Sequence, residues 1–149
     1  MSEMQALSIG AAVTFVWLGM VLAISFLEAP LKFRAPGVTT KIGLGIGRLV
    51  FRALNTAETV LAAVLLSVLA VETAVVSGLP PAGAVTPAAV AVVTLAVQLA
   101  VVRPRLMRRS NRILAGRDAP RSKGHHAYIA LEIVKVVALG SAGVMLLVS

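Results

Sequence analysis

Four apolar runs of membrane-spanning length, separated by strongly basic segments, constrain this chain more than any other feature. The stretch from Leu7 to Leu27 carries no charged side chain. As a helix it measures about 32 Å, enough to cross the hydrocarbon core of a bilayer. It ends at Glu28-Ala29-Pro30, where proline interrupts the helical hydrogen-bond ladder. Further runs cover about Ala53 to Val76, Thr86 to Val102 and Tyr128 to Val148. Helical patterning ahead of the second run begins near Lys41. Ser77 to Gly83 reads as a loop, and Thr86-Pro87 as an N-cap with proline at the first helical position. A chain of 149 residues that is 58% hydrophobic and 13% charged has too little interior to hide that much apolar side chain from water. The composition therefore excludes a water-soluble enzyme and a disordered tail. The expected fold is all-α, a single integral-membrane four-helix bundle. No internal repeat is evident in the residues.

Charge sets the expected topology. The segment after the first run holds Lys32, Arg34, Lys41, Arg48 and Arg52 against Glu28. The segment from Arg103 to Lys123 is basic apart from Asp118, and the loop from Ser77 to Val85 is uncharged. The positive-inside rule then places both basic segments in the cytoplasm and both termini outside, in a cell inner membrane. The net charge of +8 is read the same way, as loops facing anionic lipid rather than as a nucleic-acid surface. The expected partners are membrane lipid and a homo-oligomer or larger membrane complex, not nucleic acid. Met1 to Gln5 contain no basic n-region, so no cleavable leader is expected. With no Cys, disulfides, thiolate catalysis and Cys-ligated metal are absent from the chemistry.

Ionisable groups at membrane depth are costly and mark candidate sites. On the second helix Arg48, Arg52, Asn55 and Glu58 recur at helical spacing within about a 120° arc. On the fourth, His125, Tyr128, Glu132 and Lys135 fall within about an 80° arc. These stripes should face one another, with Glu28 and Gln98 able to join them, around a polar cavity open to the cytoplasm. Arg48, Arg52, Asn55, Glu58, Glu132 and Lys135 are the candidate ligand-binding residues, and His126 and Tyr128 the candidate acid–base groups. Trp17 reads as a packing residue and Phe33 as an interfacial anchor. Gly43 and Gly47 form a small-xxx-small pair suited to close helix approach. His125, His126 and Glu28 are the available metal or haem ligands. No Glu-x-x-His pair accompanies them, and adjacent histidines diverge by about 100° on a helix.

Several short motifs carry a family likeness over nearly the whole chain. The first helix reads Trp17-x-Gly19 and then Phe26-x-x-Ala29-Pro30-x-x-Phe33. The third ends in Arg103-Pro104-Arg105 with Asn111 following, and the fourth opens with His125-His126 before Tyr128 and Glu132. This order resembles a loose group of small four-span membrane families. The group comprises copper-resistance-D-like proteins, the transmembrane family linked to cisplatin tolerance, and anthrone-oxygenase-like proteins. The resemblance implies the four-span fold and, through the last group, an oxygenase acting on a lipophilic substrate. Members often carry a first-helix His that this chain lacks, which weakens any haem or copper implication.

A second, local resemblance covers Arg48-x-x-x-Arg52-Ala53-x-Asn55-x-x-Glu58. It is similar to the second-helix signature of the membrane-associated eicosanoid and glutathione metabolism family, whose members are trimers. It implies that Arg52, Asn55 and Glu58 hold glutathione in a transferase. The family's His after Arg-Ala is Leu54 here, and Thr86 to Val102 contains neither Arg nor Tyr. The leading expectation is a non-enzymatic membrane protein that binds or passes a small solute or supports a membrane assembly. The alternative is a membrane enzyme acting on a lipophilic substrate.

Overall fold

A computed structural model describes residues 3–75, 82–117 and 123–149. All the long elements are helices. Helix α1 (Glu3–Val21) runs into a π-helical stretch (Leu22–Glu28), a short α2 (Ala29–Leu31) and a 3₁₀ turn (Lys32–Arg34). Helix α3 (Thr40–Val75) follows, then α4 (Ala82–Val97), a second π-helical stretch (Gln98–Val102), α5 (Arg103–Leu114) and α6 (Lys123–Val148). Four continuous helical stretches, Met4–Arg34, Thr40–Ala74, Gly83–Leu114 and His126–Val148, are long and apolar enough to cross a membrane. The chain is a multi-pass membrane protein with a helical-bundle fold.

The helices outrun the apolar runs that announce them. The 36 residues of α3 make a helix of about 54 Å, well beyond a 30 Å hydrocarbon core. Its basic first turns therefore stand clear of the membrane. Thr39 starts it by accepting the Ile42 N–H at 3.3 Å. Helix α4 begins at Ala82 rather than at Thr86, so Pro87 lies inside it and removes one early hydrogen bond instead of opening the helix. Most of the expected loop, from Ser77 to Pro81, and Val76 and Asp118 lie outside the described residues. Helix α5 is closed by Gly116 at φ 74°, with Arg117 N–H donating to Arg112 and Gly116 N–H to Ile113.

Helix α6 packs along both α1 and α4, and α1 packs also on α3, whereas α3 and α4 touch sparingly. The buried core is narrow. It is built from Ala11, Trp17 and Val21 of α1, Leu65 and Leu69 of α3, Ala84, Ala88, Ala91 and Leu95 of α4, and Leu139, Ala142 and Leu146 of α6. The alanines fall one turn apart on α4 and let its backbone approach α6 closely, the usual device of helices packing in lipid. Outside this core the apolar side chains face outward: Val93, Val137 and Leu147 are each more than 60% exposed. Two buried threonine hydroxyls are satisfied within their own helices: Thr14 donates to the Gly10 carbonyl and Thr94 to that of Val90.

The two hairpins share a register that the residues alone did not disclose. The π-helical stretches end at Glu28 and Val102, each two residues before a proline, Pro30 and Pro104. In both, the residue before proline donates its N–H across a widened turn, Ala29 to the Ile24 carbonyl and Arg103 to that of Gln98. The widened turn accommodates the proline ring, which would clash with an α-helical carbonyl one turn back. Pro30 precedes Glu58 by the same interval as Pro104 precedes Glu132. At that offset Val21 matches Leu95, Leu65 matches Leu139, and every one of these side chains is buried. The chain is thus two helical hairpins of common register, a relation that the residues alone do not show.

Two expected packing roles change. Gly43 and Gly47 do not seat another long helix. They receive the returning 3₁₀ turn, with Phe33 lying where a Gly43 side chain would be and Lys32 Nζ 3.1 Å from a Cβ built on Gly47. The tight helix–helix approach is at Gly143, where an added Cβ would come 2.8 Å from the Phe15 ring. Gly143→Val should therefore overpack the α1–α6 seam and cost about 1–3 kcal/mol, read as a lowered unfolding temperature in detergent. An unchanged temperature would show that this seam is not as close as described.

Candidate functional site

The candidate site lies where α1, α3, the second π-helical stretch and α6 meet. Helical spacing puts Glu132 and Lys135 on one face of α6, and Glu58 on the inner face of α3. All three are essentially inaccessible, at 1%, 0% and 0% exposure, and Gln98 is 2% exposed. An isolated charge in such surroundings is prohibitive, so each group must be met by another.

They are met with economy. Lys135 Nζ has three acceptors for its three N–H bonds: Glu58 Oε1 in a direct ion pair, Gln98 Oε1 at 2.7 Å and Glu132 Oε1 at 3.1 Å. Each carboxylate oxygen that takes the ammonium takes one neutral donor as well. Trp17 Nε1 donates to Glu58 Oε1 at 2.9 Å, and Gln98 Nε2 donates to Glu132 Oε1 at 3.0 Å. The second oxygens, Glu58 Oε2 and Glu132 Oε2, are buried with no hydrogen-bond partner among the described residues.

The register explains the pairing. Glu58 and Glu132 occupy equivalent positions in the two hairpins, and the position equivalent to Lys135 is Leu61. Two matched acids thus share one unmatched cation. The widened turn beginning at Gln98 departs from α-helical geometry at the residue that bridges Lys135 and Glu132. Such π-helical turns commonly sit at functional positions.

Toward the basic end the cluster is closed by aromatic rings. Tyr128 lies with its hydroxyl against Glu132 and Ser25, and neither that hydroxyl nor Ser25 Oγ makes a well-formed hydrogen bond among the described residues. Its ring meets Phe51 edge to face, with centroids 5.6 Å apart. Beyond Phe51 the Lys32 ammonium sits 5.4 Å from the ring centre and pairs with Glu28 at 3.2 Å. A partly buried ion pair, an aromatic pair and a fully buried charge network therefore follow one another inward.

The sequence-derived candidates divide clearly. Glu58, Glu132, Lys135 and Gln98 come together. Asn55 is buried one turn away on α3 and takes no part in the bonds that join Trp17, Glu58, Gln98, Glu132 and Lys135. Arg52 is exposed and Arg48 half-exposed, so the expected cationic stripe does not reach the buried centre. The reason is geometric: both lie on the stretch of α3 that projects past the hydrocarbon, where guanidinium groups can reach water or phosphate. Glu28 pairs with Lys32 rather than with the interior. His126 is exposed, and the side chain of His125 lies outside the described ones. Among the described residues no three His, Cys, Asp or Glu converge as a metal site. Where a polar cavity open to the cytoplasm was expected, Glu58, Gln98, Glu132 and Lys135 are buried and bonded to one another. Trp17 is more than packing, since it donates to Glu58; a buried indole N–H needs an acceptor, and that requirement is the signal that could have found the role. Phe51 and Ser25 carried no such signal.

Lys135→Met would leave two carboxylates buried without their cation and should cost about 3–5 kcal/mol. Trp17→Phe keeps an aromatic ring but removes the indole donor and some buried volume, and should cost about 1–3 kcal/mol. Thermal unfolding of both variants in the same detergent checks the order; a Trp17 variant as damaged as the Lys135 variant would contradict it.

No protein-family model, curated protein or solved structure matches this chain, so the reading of the site rests on its geometry.

Proposed function

We propose that this is an inner-membrane protein, both termini outside, whose buried Glu58–Lys135–Glu132–Gln98 centre binds or passes a small solute. The observation that carries the reading is the completeness of the Lys135 coordination beside two carboxylate oxygens left unsatisfied. Net stability alone does not account for such an arrangement, because well-packed apolar residues of similar volume stabilise a bundle as well or better. Unsatisfied buried oxygens are costly and are retained where something must meet them. The Phe51–Tyr128 pair and the Glu28–Lys32 bridge stand between the centre and the basic end, where a solute arriving from the cytoplasm would have to pass.

The resemblance to the glutathione family receives less support from these positions. It needs Arg52, Asn55 and Glu58 on one ligand, whereas Arg52 is exposed and Glu58 is already engaged by Trp17 and Lys135. The oxygenase resemblance would place acid–base chemistry on Tyr128, which lies beside Glu132.

The test is a panel of small organic anions, cations and zwitterions, with glutathione as one member, scored by thermal stabilisation of the purified protein. Ligand that binds only the folded state at a hundred times its Kd raises stability by about 2.7 kcal/mol. At least one solute should stabilise the wild type and lose its effect in Glu132→Gln, which still assembles. Stabilisation by glutathione that is abolished by Arg52→Ala would favour the transferase instead. A Glu132→Gln protein that responds to every solute as the wild type does would remove this centre as the binding site.

A further inference from the structure

The charge count of the centre is uneven. Elements packed around it contribute the following polar and titratable groups. From α1 and its π-helical continuation come the Trp17 indole and the Ser25 hydroxyl; from α3, Glu58; from the second π-helical stretch, Gln98; and from α6, Tyr128, Glu132 and Lys135. The nearest further charges, Glu28 and Lys32, neutralise each other beyond Phe51. Arg52 is exposed and Arg48 half-exposed, and neither is among the groups bonded to the centre. Two carboxylates therefore share one ammonium, and the enclosed region carries one uncompensated negative charge when all three groups are ionised. In water that imbalance would be trivial. At membrane depth it is not, because solvation of a lone ion by the surroundings is nearly absent.

The unused valences match this deficit. Lys135 has no N–H left to give. The groups without partners are all oxygens: Glu58 Oε2 and Glu132 Oε2 on fully buried side chains, with the Tyr128 and Ser25 hydroxyls beside Glu132. Two unsatisfied carboxylate oxygens in a cluster with one surplus negative charge accept a small hard cation or a proton and repel an anion, and the Tyr128 and Ser25 hydroxyls beside Glu132 can turn their oxygens toward such a cation. The repeat strengthens the case. Its equivalent acids give the site two like halves, and the single Lys135 fills one cationic place and leaves one open.

We propose that Glu58 and Glu132 form a site for one exchangeable monovalent cation, a proton or a sodium ion, beside Lys135. The inference deepens the solute-binding reading by naming what the same centre takes up. Exchange with the basic end runs past Tyr128 and Phe51, so the aromatic pair controls access. The sodium ion would be held by carboxylate and hydroxyl oxygens; the proton would reside on one carboxylate and donate to an oxygen of its neighbours.

Infrared difference spectroscopy of the whole protein in lipid nanodiscs tests this first on the wild type and then on two conservative variants. Spectra are recorded through a pH titration in choline chloride and again in sodium chloride, together with melting temperatures. A buried carboxylic-acid band in choline, insensitive to sodium, identifies the proton. Loss of that band on adding sodium, or a sodium-dependent rise in melting temperature, identifies the metal ion. Glu58→Gln and Glu132→Gln each bring the cluster to charge balance with Lys135, so each should remove one carboxylic-acid equivalent and abolish the sodium effect. A wild type with neither signal overturns the inference, as does a band that survives in both variants. If solute-dependent stabilisation persists in that case, the centre remains a binding site and only the cation is lost. A cation signal with no solute response removes the solute reading instead.

Discussion

The structure is organised around an ammonium group with nowhere else to go. Lys135 lies inside a bundle whose outer surface is apolar, and its side chain is fully enclosed. Its charge is tolerable only because three oxygens from three different segments converge on Nζ. That convergence fixes the rotation of α6 relative to α3 and to the second π-helical stretch. In a bilayer, apolar contact between helices supplies little orienting preference, since lipid chains compete equally well for the same surfaces. A hydrogen-bonded charge network is directional, and here it chooses one arrangement among the many that packing alone would allow. Trp17 extends the same choice to α1 through Glu58.

Around this anchor the two hairpins are alike in register and unlike in contact. Each carries a proline-linked widened turn and a buried glutamate at the same interval. Yet α6 lies closely against α1, with Phe15 over Gly143 and Leu146 against Gly10, while the corresponding seam between α3 and α4 is loose. The difference follows from side-chain volume. Trp17 stands where the other hairpin has Ala91, and Lys135 where it has Leu61. Large groups on α1 and a charged one on α6 concentrate the specific contacts along one side of the bundle.

The fold was legible because lipid imposes a coarse rule. A run such as Leu7 to Leu27 can be a spanning helix or nothing, so helix number and the two polar stripes could be read directly from residue type and spacing. What spacing could not reveal was how far along a helix the membrane ends. Arg52 and Glu58 share a stripe on α3, yet one is exposed and the other is buried. The arc describes direction around the axis and says nothing of depth. The role of Trp17 was half visible, as a large ring at the core without its acceptor. The common register of the hairpins was hidden because most equivalent positions hold different apolar residues. It emerges only when the widened turns are seen to fall at the same distance from Pro30 and Pro104.

Those widened turns act as phase shifters. A π-helical turn holds one residue more than an α-helical one, so everything beyond it is rotated by about 100° relative to an uninterrupted helix. On the first crossing this rotation swings Lys32 and Phe33 back onto the glycines of α3; on the third it directs α5 against the neighbouring helix rather than away from it. Removing a single residue from either stretch would restore a regular spiral and turn the whole basic end about its axis while leaving hydropathy almost untouched. Length in these two short windows is therefore under tighter constraint than composition, an inversion of the rule that governs the rest of a lipid-facing helix.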